Sequence, residues 1–183
     1  GQGDVAICAM LLQARMELAK GEYAAAFQLV HQMRDEISRK RWYAQIHTID
    51  LCEGFLYANL NQYENIPSWI REGNVDESKI YYPTRGFFNL VYGRVLLIHG
   101  EYLKLLDVAE AFEMEASVFP NLLSLIYTKI HVAAANQKIH RHGDALEALK
   151  QALDHAAADK VYLPFVENCD YIKSLLEEME RNG

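Results

Sequence analysis

Proline is scarce, at 4 residues, and no run rich in Ser, Gly and Pro divides the chain. Flexible linkers between domains are built from such runs, so a single helical-repeat domain over 1–183 is expected. No stretch of about 18 apolar residues is present, and no basic start followed by an apolar centre, so neither a helical membrane span nor a signal peptide is expected. The expected location is cytoplasmic. The 3 cysteines, Cys8, Cys52 and Cys169, are odd in number and far apart; they make no disulfide framework and read as reduced thiols. Positive charge is in the minority, with 18 Lys and Arg against 25 Asp and Glu for a net charge of −7. That balance disfavours a phosphate backbone or an anionic membrane surface, so neither direct nucleic-acid contact nor membrane contact is expected of this fragment. Strict period-two alternation is missing too, which removes strands and leaves an all-α chain.

What is present is a repeat. Gly21-Glu22-Tyr23 is followed by Ala26, Asn61-Gln62-Tyr63 by Ile66, Gly100-Glu101-Tyr102 by Leu105, and Gly143-Asp144-Ala145 by Ala148, with first members 40, 39 and 43 residues apart. Small residues precede them at Ala14, Gly54, Gly93 and Ala133, spaced 40, 39 and 40. A small residue lets two helices approach closely, and the Gly or Asn seven residues later can take the left-handed conformation that ends the first helix of a hairpin. In the fourth unit the gap grows to ten, from Ala133 to Gly143, which predicts a longer turn around Lys138 to His142.

Residues of the expected buried stripes recur at three and four, as amphipathic helices require: Leu11, Leu12, Leu18 and Ala19 with Arg15 among them, then Phe27, Val30, Met33 and Ile37, with similar stripes through Ile46 to Leu60, Leu90 to Ile98 and Leu122 to Val132. The pattern predicts helices near 5–20, 23–38, 41–60, 66–72, 83–99, 102–116, 121–139, 144–157 and 165–180. Pro67 is tolerated only in a first turn and Gly73 can close a helix, so the second helix of the second unit is short, with a polar loop to Pro83 after it. The units are approximately 5–38, 41–73, 83–117 and 120–158, with a closing helix over 161–181. A lone hairpin cannot hide its apolar face; stacked hairpins can, and they curl into a superhelix with a concave surface. The expected fold is a tetratricopeptide-like right-handed superhelix of about four hairpins.

Concave positions come from the first helix of each unit. One line is Arg15, Phe55, Arg94 and Ala134; a second is Cys8, Thr48, Phe87 and Tyr127; a third is Ala19, Asn59, Ile98 and Lys138. Arginine beside an aromatic can stack on a ring or clamp an acid through paired hydrogen bonds. Arg15, Thr48, Phe55, Asn59, Phe87, Arg94 and Tyr127 are therefore the candidate ligand-binding residues. The competing reading is structural, with Arg15 and Arg94 satisfying buried carbonyls or acids such as Glu53, and Phe55 and Phe87 in the core. No catalytic centre, metal site or cofactor site is expected. His131, His140 and His142 lack the tight ligand set of a zinc centre, Cys52 near His47 sits in an apolar stripe as inert packing, and Glu22, Glu101 and Asp144 read as carboxylates capping helix starts.

Three stretches carry a resemblance: Tyr92-Gly93-Arg94-Val95-Leu96-Leu97 before Gly100; Gly143-Asp144 with Ala148-Leu149 and Ala152-Leu153; and Tyr162-Leu163-Pro164-Phe165-Val166-Glu167 with Leu175-Leu176 after it. Across essentially its whole length the chain resembles the superhelical sensor region of the large ATP-binding LuxR-type transcriptional regulators. That resemblance implies inducer sensing and control of self-association, by binding a small molecule or a regulatory protein. It also implies a nucleotide-binding module before this region and a helix-turn-helix after it; the sequence contains no phosphate loop and no DNA-binding unit after Leu176, so a fragment of a larger regulator is expected. The alternative is a tetratricopeptide scaffold holding a peptide or helix in its groove.

Overall fold

The computed structural model describes residues 2–118 and 120–182. Among them there are ten α-helices and no strand. The chain divides into two compact units, Gly1–Val91 and Tyr92–Gly183. No helix among the described residues is long and apolar enough to cross a membrane.

Unit 1 holds α1 (Gln2–Lys20), α2 (Tyr23–Lys40), α3 (Ile46–Asn59), α4 (Ser68–Glu72) and the start of α5 (Arg85–His99). α1 packs on α2, and both pack on α3. Ala26, Val30, Met33 and Ile37 form the buried stripe of α2, at the three- and four-residue spacing of one helix face. On α1 the stripe differs from the sequence expectation: Ile7 and Ala14 are buried, whereas Leu12 is 54% exposed. Pro67 precedes α4, and Gly73, in the left-handed region, ends it after five residues. An aromatic stack compensates for so short a helix. Trp69 lies between His47, 5.4 Å away between ring centroids, and Phe88, 5.9 Å away.

Unit 2 holds the rest of α5 with α6 (Tyr102–Val118), α7 (Leu122–Lys138), α8 (His142–Ala157), α9 (Leu163–Glu167) and α10 (Cys169–Asn182). α7 packs on α6 and α8; α9 packs on α7, and α10 covers α7 and α8. The α7–α8 joint is built of alanine. Ala133, Ala134 and Ala135 on one side and Ala145, Ala148, Ala152 and Ala156 on the other are buried, and side chains this small bring two helix axes close together. The closing helix expected over 161–181 is in fact two helices, broken at Asn168, whose backbone leaves the helical region at φ −110° and ψ 12°.

Four evenly spaced helix ends share one geometry, which also closes α2 at Arg41 and α4 at Gly73. Gly21, Asn61, Gly100 and His140 all have positive φ. Each donates its N–H to the carbonyl three residues back, and the next residue donates to the carbonyl five back: Glu22 to Glu17, Gln62 to Tyr57, Glu101 to Leu96 and Arg141 to Asn136. This is the left-handed closure that satisfies the last free carbonyls of a helix. The four positions are 40, 39 and 40 residues apart, in step with Ala14, Gly54, Gly93 and Ala133. The expected longer fourth turn is therefore absent. His140 takes the left-handed place seven residues after Ala133, and Gly143 lies inside α8. Histidine, like asparagine, enters that region more readily than most side chains.

Candidate functional site

In unit 1, α1, α3 and the start of α5 bring Arg15, Phe55, Phe87 and Asn59 together. The Arg15 guanidinium sits over the Phe55 ring at 5.2 Å, and the Phe55 and Phe87 rings are 5.8 Å apart and tilted by 42°. Asn59 Nδ2 donates to the Phe55 carbonyl at 2.9 Å, a bond within α3. Phe55 is core, while Arg15, Thr48, Asn59 and Phe87 are half-buried. Glu53 is engaged from α2: Arg34 donates to Asp50 at 2.9 Å and to Glu53 at 2.8 Å. Burial opposes the charge on Arg34, but bonding and attraction from Asp50 and then Glu53 outweigh it and raise its pKa.

In unit 2, Arg94 and Tyr127 converge on the break in the closing helix. Arg94, 5% exposed, donates from Nη1 to Asn168 Oδ1 at 2.8 Å and, more distantly, to the Glu167 carbonyl at 3.5 Å. Its guanidinium also lies 4.4 Å from the centre of the Tyr171 ring. Asn168 is used at both ends, since its Nδ2 donates to the Pro164 carbonyl at 2.8 Å. The Tyr127 hydroxyl donates to the Glu167 carboxylate. Burial lowers the pKa of Arg94, opposed first by Tyr171 and then by Asp170 and Glu167; a guanidinium stays charged regardless.

Beside this network is His131, buried on α7, its ring 6.0 Å from that of Tyr127. It packs on Gly93, where a Cβ would meet His131 Nδ1 at 2.6 Å. Its Nε2 makes no hydrogen bond. Burial and then the charge of Arg94 drive its pKa down to about 3, and nearby Asn168 offsets this only weakly. The ring is neutral.

The seven candidate residues thus fall into two groups. Arg15, Thr48, Phe55, Asn59 and Phe87 belong to unit 1, and Arg94 and Tyr127 to unit 2. Phe55, Arg94 and Tyr127 are core rather than open surface. Sequence reasoning missed Asn168, Tyr171 and His131 as members of the polar network. For His131 a signal existed: it stands one repeat after Val91 and two after Cys52, a place otherwise filled by packing side chains.

Other polar residues have local explanations. Burial raises the Cys52 thiol to about 12, which leaves it un-ionised, while His47 stacks on Trp69 and accepts from the Lys79 amide at 2.9 Å. His142 pairs with Glu178 at 2.9 Å. Glu22, expected to cap α2, makes no side-chain cap bond; Asn121 does cap α7, accepting from Ser124 N at 3.0 Å. Among the described residues no group of three or more His, Cys, Asp or Glu is placed to hold a metal ion. No protein-family model, curated protein or solved structure matches the chain.

Proposed function

We propose that this chain is a recognition region, a right-handed superhelix of about four helical hairpins. On this reading it serves, like the LuxR-type sensor regions it resembles, to bind an inducer or regulatory protein and to bias assembly of a larger regulator. The observation that carries the reading is the fourfold helix end at Gly21, Asn61, Gly100 and His140, in step with a buried small residue seven positions earlier. A repeat that fixes only small residues and helix ends leaves the other first-helix positions free to specialise in binding.

Because Arg94 is committed to Asn168 and Tyr171, the binding role passes to the half-buried residues of unit 1: Arg15, Thr48, Asn59 and Phe87. A thermal-shift screen with sugars, other metabolites and acidic small molecules tests this. A ligand present at 100 times its Kd stabilises by about 2.7 kcal/mol, and Arg15→Ala or Thr48→Ala should reduce the shift without lowering the stability of the free protein by more than about 1 kcal/mol. A hit whose shift survives both substitutions would move the site elsewhere. The second reading, a protein-interaction scaffold, draws on a different observation, the exposed apolar side chains of α1. It predicts stabilisation by helical peptides and by no metabolite.

A further inference from the structure

α1 leaves uncovered what the later first helices bury. Val5, Leu12 and Met16 are 71%, 54% and 53% exposed, and they fall on one helix face with Cys8 and Ala9, also exposed. Moving one repeat at a time, the place of Leu12 is taken by Cys52, Val91 and His131, and that of Met16 by Leu56, Val95 and Ala135; all six are buried. The chain itself shows what covers this position. A Cβ on Gly54 would come within 3.7 Å of Val91 Cγ1, and one on Gly93 within 2.6 Å of His131 Nδ1. Cys8 of α1 and Arg34 of α2 are close enough to Cys52 to bear on its thiol. A residue at the Leu12 position therefore seats on the small residue of another hairpin's first helix, and that hairpin's second helix closes over the side.

We propose that the face of α1 carrying Val5, Leu12 and Met16 is the docking surface for a partner's helical hairpin, one whose first helix offers an open Gly or Ala to Leu12. The proposal rests on the helical-repeat reading. A second copy of this chain does not meet the requirement, because Ala14, Gly54, Gly93 and Ala133 are all buried already. The outer side of α10 is equally unsuitable, since seven of its described residues are exposed, five of them charged (Asp170, Lys173, Glu177, Glu180 and Arg181) and the others Cys169 and Ser174, with no large apolar side chain among them. The partner's second helix is specified as well. Where α3 shows Asp50 and Glu53 to Arg34, α1 shows Met10 and Gln13, so the facing helix carries an apolar or uncharged residue in place of that arginine.

The experiment places such a hairpin ahead of the whole chain. Residues 1–40 are duplicated in frame before residue 1, with Arg34→Leu in the added copy only, and a maleimide reports thiol exposure. Cys8 and Cys169 are replaced by Ser throughout, and Cys52 is kept as a buried reference. Leu12→Cys in the original segment places at that position the residue that α3 carries naturally. In the undoubled chain the introduced thiol should label fast and Cys52 slowly. In the doubled chain labelling of the introduced thiol should slow by at least about 10-fold, and Ala14→Leu in the added copy, which fills the socket, should restore fast labelling. Unchanged labelling of the introduced thiol with Cys52 still slow would overturn the docking surface while leaving the repeat intact. Fast labelling of Cys52 in the undoubled chain would overturn the repeat reading itself. Labelling of the introduced thiol that slows as the undoubled chain is concentrated would make a second copy the occupant and overturn the choice of partner.

Discussion

Arg15 in unit 1 and Arg94 in unit 2 each directly follow a buried small residue, Ala14 and Gly93. Arg15 rests half-buried on the face of Phe55, whereas Arg94 is buried, donates to Asn168 and lies against Tyr171. Arg94 also reaches the end of the segment from Tyr162 to Glu167, at the Glu167 carbonyl 3.5 Å from its Nη1, inside unit 2. The difference shows that the register fixes where a side chain starts and the neighbouring helix decides what it becomes. In unit 2 the neighbour is the broken closing segment, and the arginine turns from surface group into structural pin.

Removing each arginine should separate the two roles most sharply. Arg94→Ala deletes a charged donor and leaves Asn168 Oδ1 buried without it, for a loss of about 2–4 kcal/mol. Arg15→Ala forfeits a partly exposed cation–ring contact worth about 0.5–1 kcal/mol. Urea denaturation followed by circular dichroism measures both. Equal losses would mean that Arg94 is no more structural than Arg15.

The small-residue line offers a second contrast. Gly93→Ala drives a Cβ to 2.6 Å from the His131 ring, while Gly54→Ala meets Ile70 Cδ1 at 2.9 Å. The ring is held in a buried site and the methyl is the end of a flexible chain. Overpacking against a fixed group costs about 1–3 kcal/mol, so Gly93→Ala, after a helix-propensity gain of about 1 kcal/mol, should destabilise by up to about 2 kcal/mol. Gly54→Ala should come out near zero, once rotation of Ile70 is set against a helix-propensity gain of about 1 kcal/mol.

His131 makes unit 2 sensitive to acid in a way that has no counterpart at Cys52 or Leu12. Its folded pKa of about 3 lies below the ordinary 6.5, so its contribution to stability is complete above about pH 6.5 and is lost as the pH falls toward 3. Over that window one proton corresponds to about 1.4 kcal/mol per pH unit. His131→Val, which installs the residue found at position 91, should flatten the decline by up to that slope, read from urea midpoints between pH 7 and 4. Parallel declines in the two proteins would show the ring to be hydrated or charged in the native state.

The sequence made the helices legible because Gly, Asn and Pro punctuate them and apolar spacing fills them. It made the small-residue line legible too, since Ala14, Gly54, Gly93 and Ala133 are all buried. The fourth turn was misplaced because the left-handed residue there is His140, while the eye follows Gly143, which is helical. The stripe on α1 was misjudged for a different reason: Leu12 has the right period and no neighbour among the described residues that buries it. Periodicity reports what a face could bury, not whether anything covers it. The arginine network stayed hidden because its partners lie 73 and 74 residues further along the chain, a distance at which no local pattern connects them.

The smallest contrast is one of sign. At the α2–α3 joint the second helix supplies the cation, Arg34, to Asp50 and Glu53; at the α6–α7 joint it supplies the acid, Glu113, to Lys129 at 2.8 Å. Arg34 and Asp50, like Glu113 and Lys129, are 16 residues apart, and the two joints are offset by 79 residues at each end, so the geometry repeats while the polarity reverses. Charge reversal within a joint should therefore be tolerated when both ends change and penalised when one does. Glu113→Lys alone should cost about 0.5–1 kcal/mol, as expected of partly exposed pairs, and adding Lys129→Glu should restore most of it. In unit 1, Arg34→Glu with Asp50→Lys should recover less, because Glu53 still faces the new acid. High salt should shrink every one of these terms. Strict additivity in both cycles would mean that the reversed polarity has no energetic role in either joint.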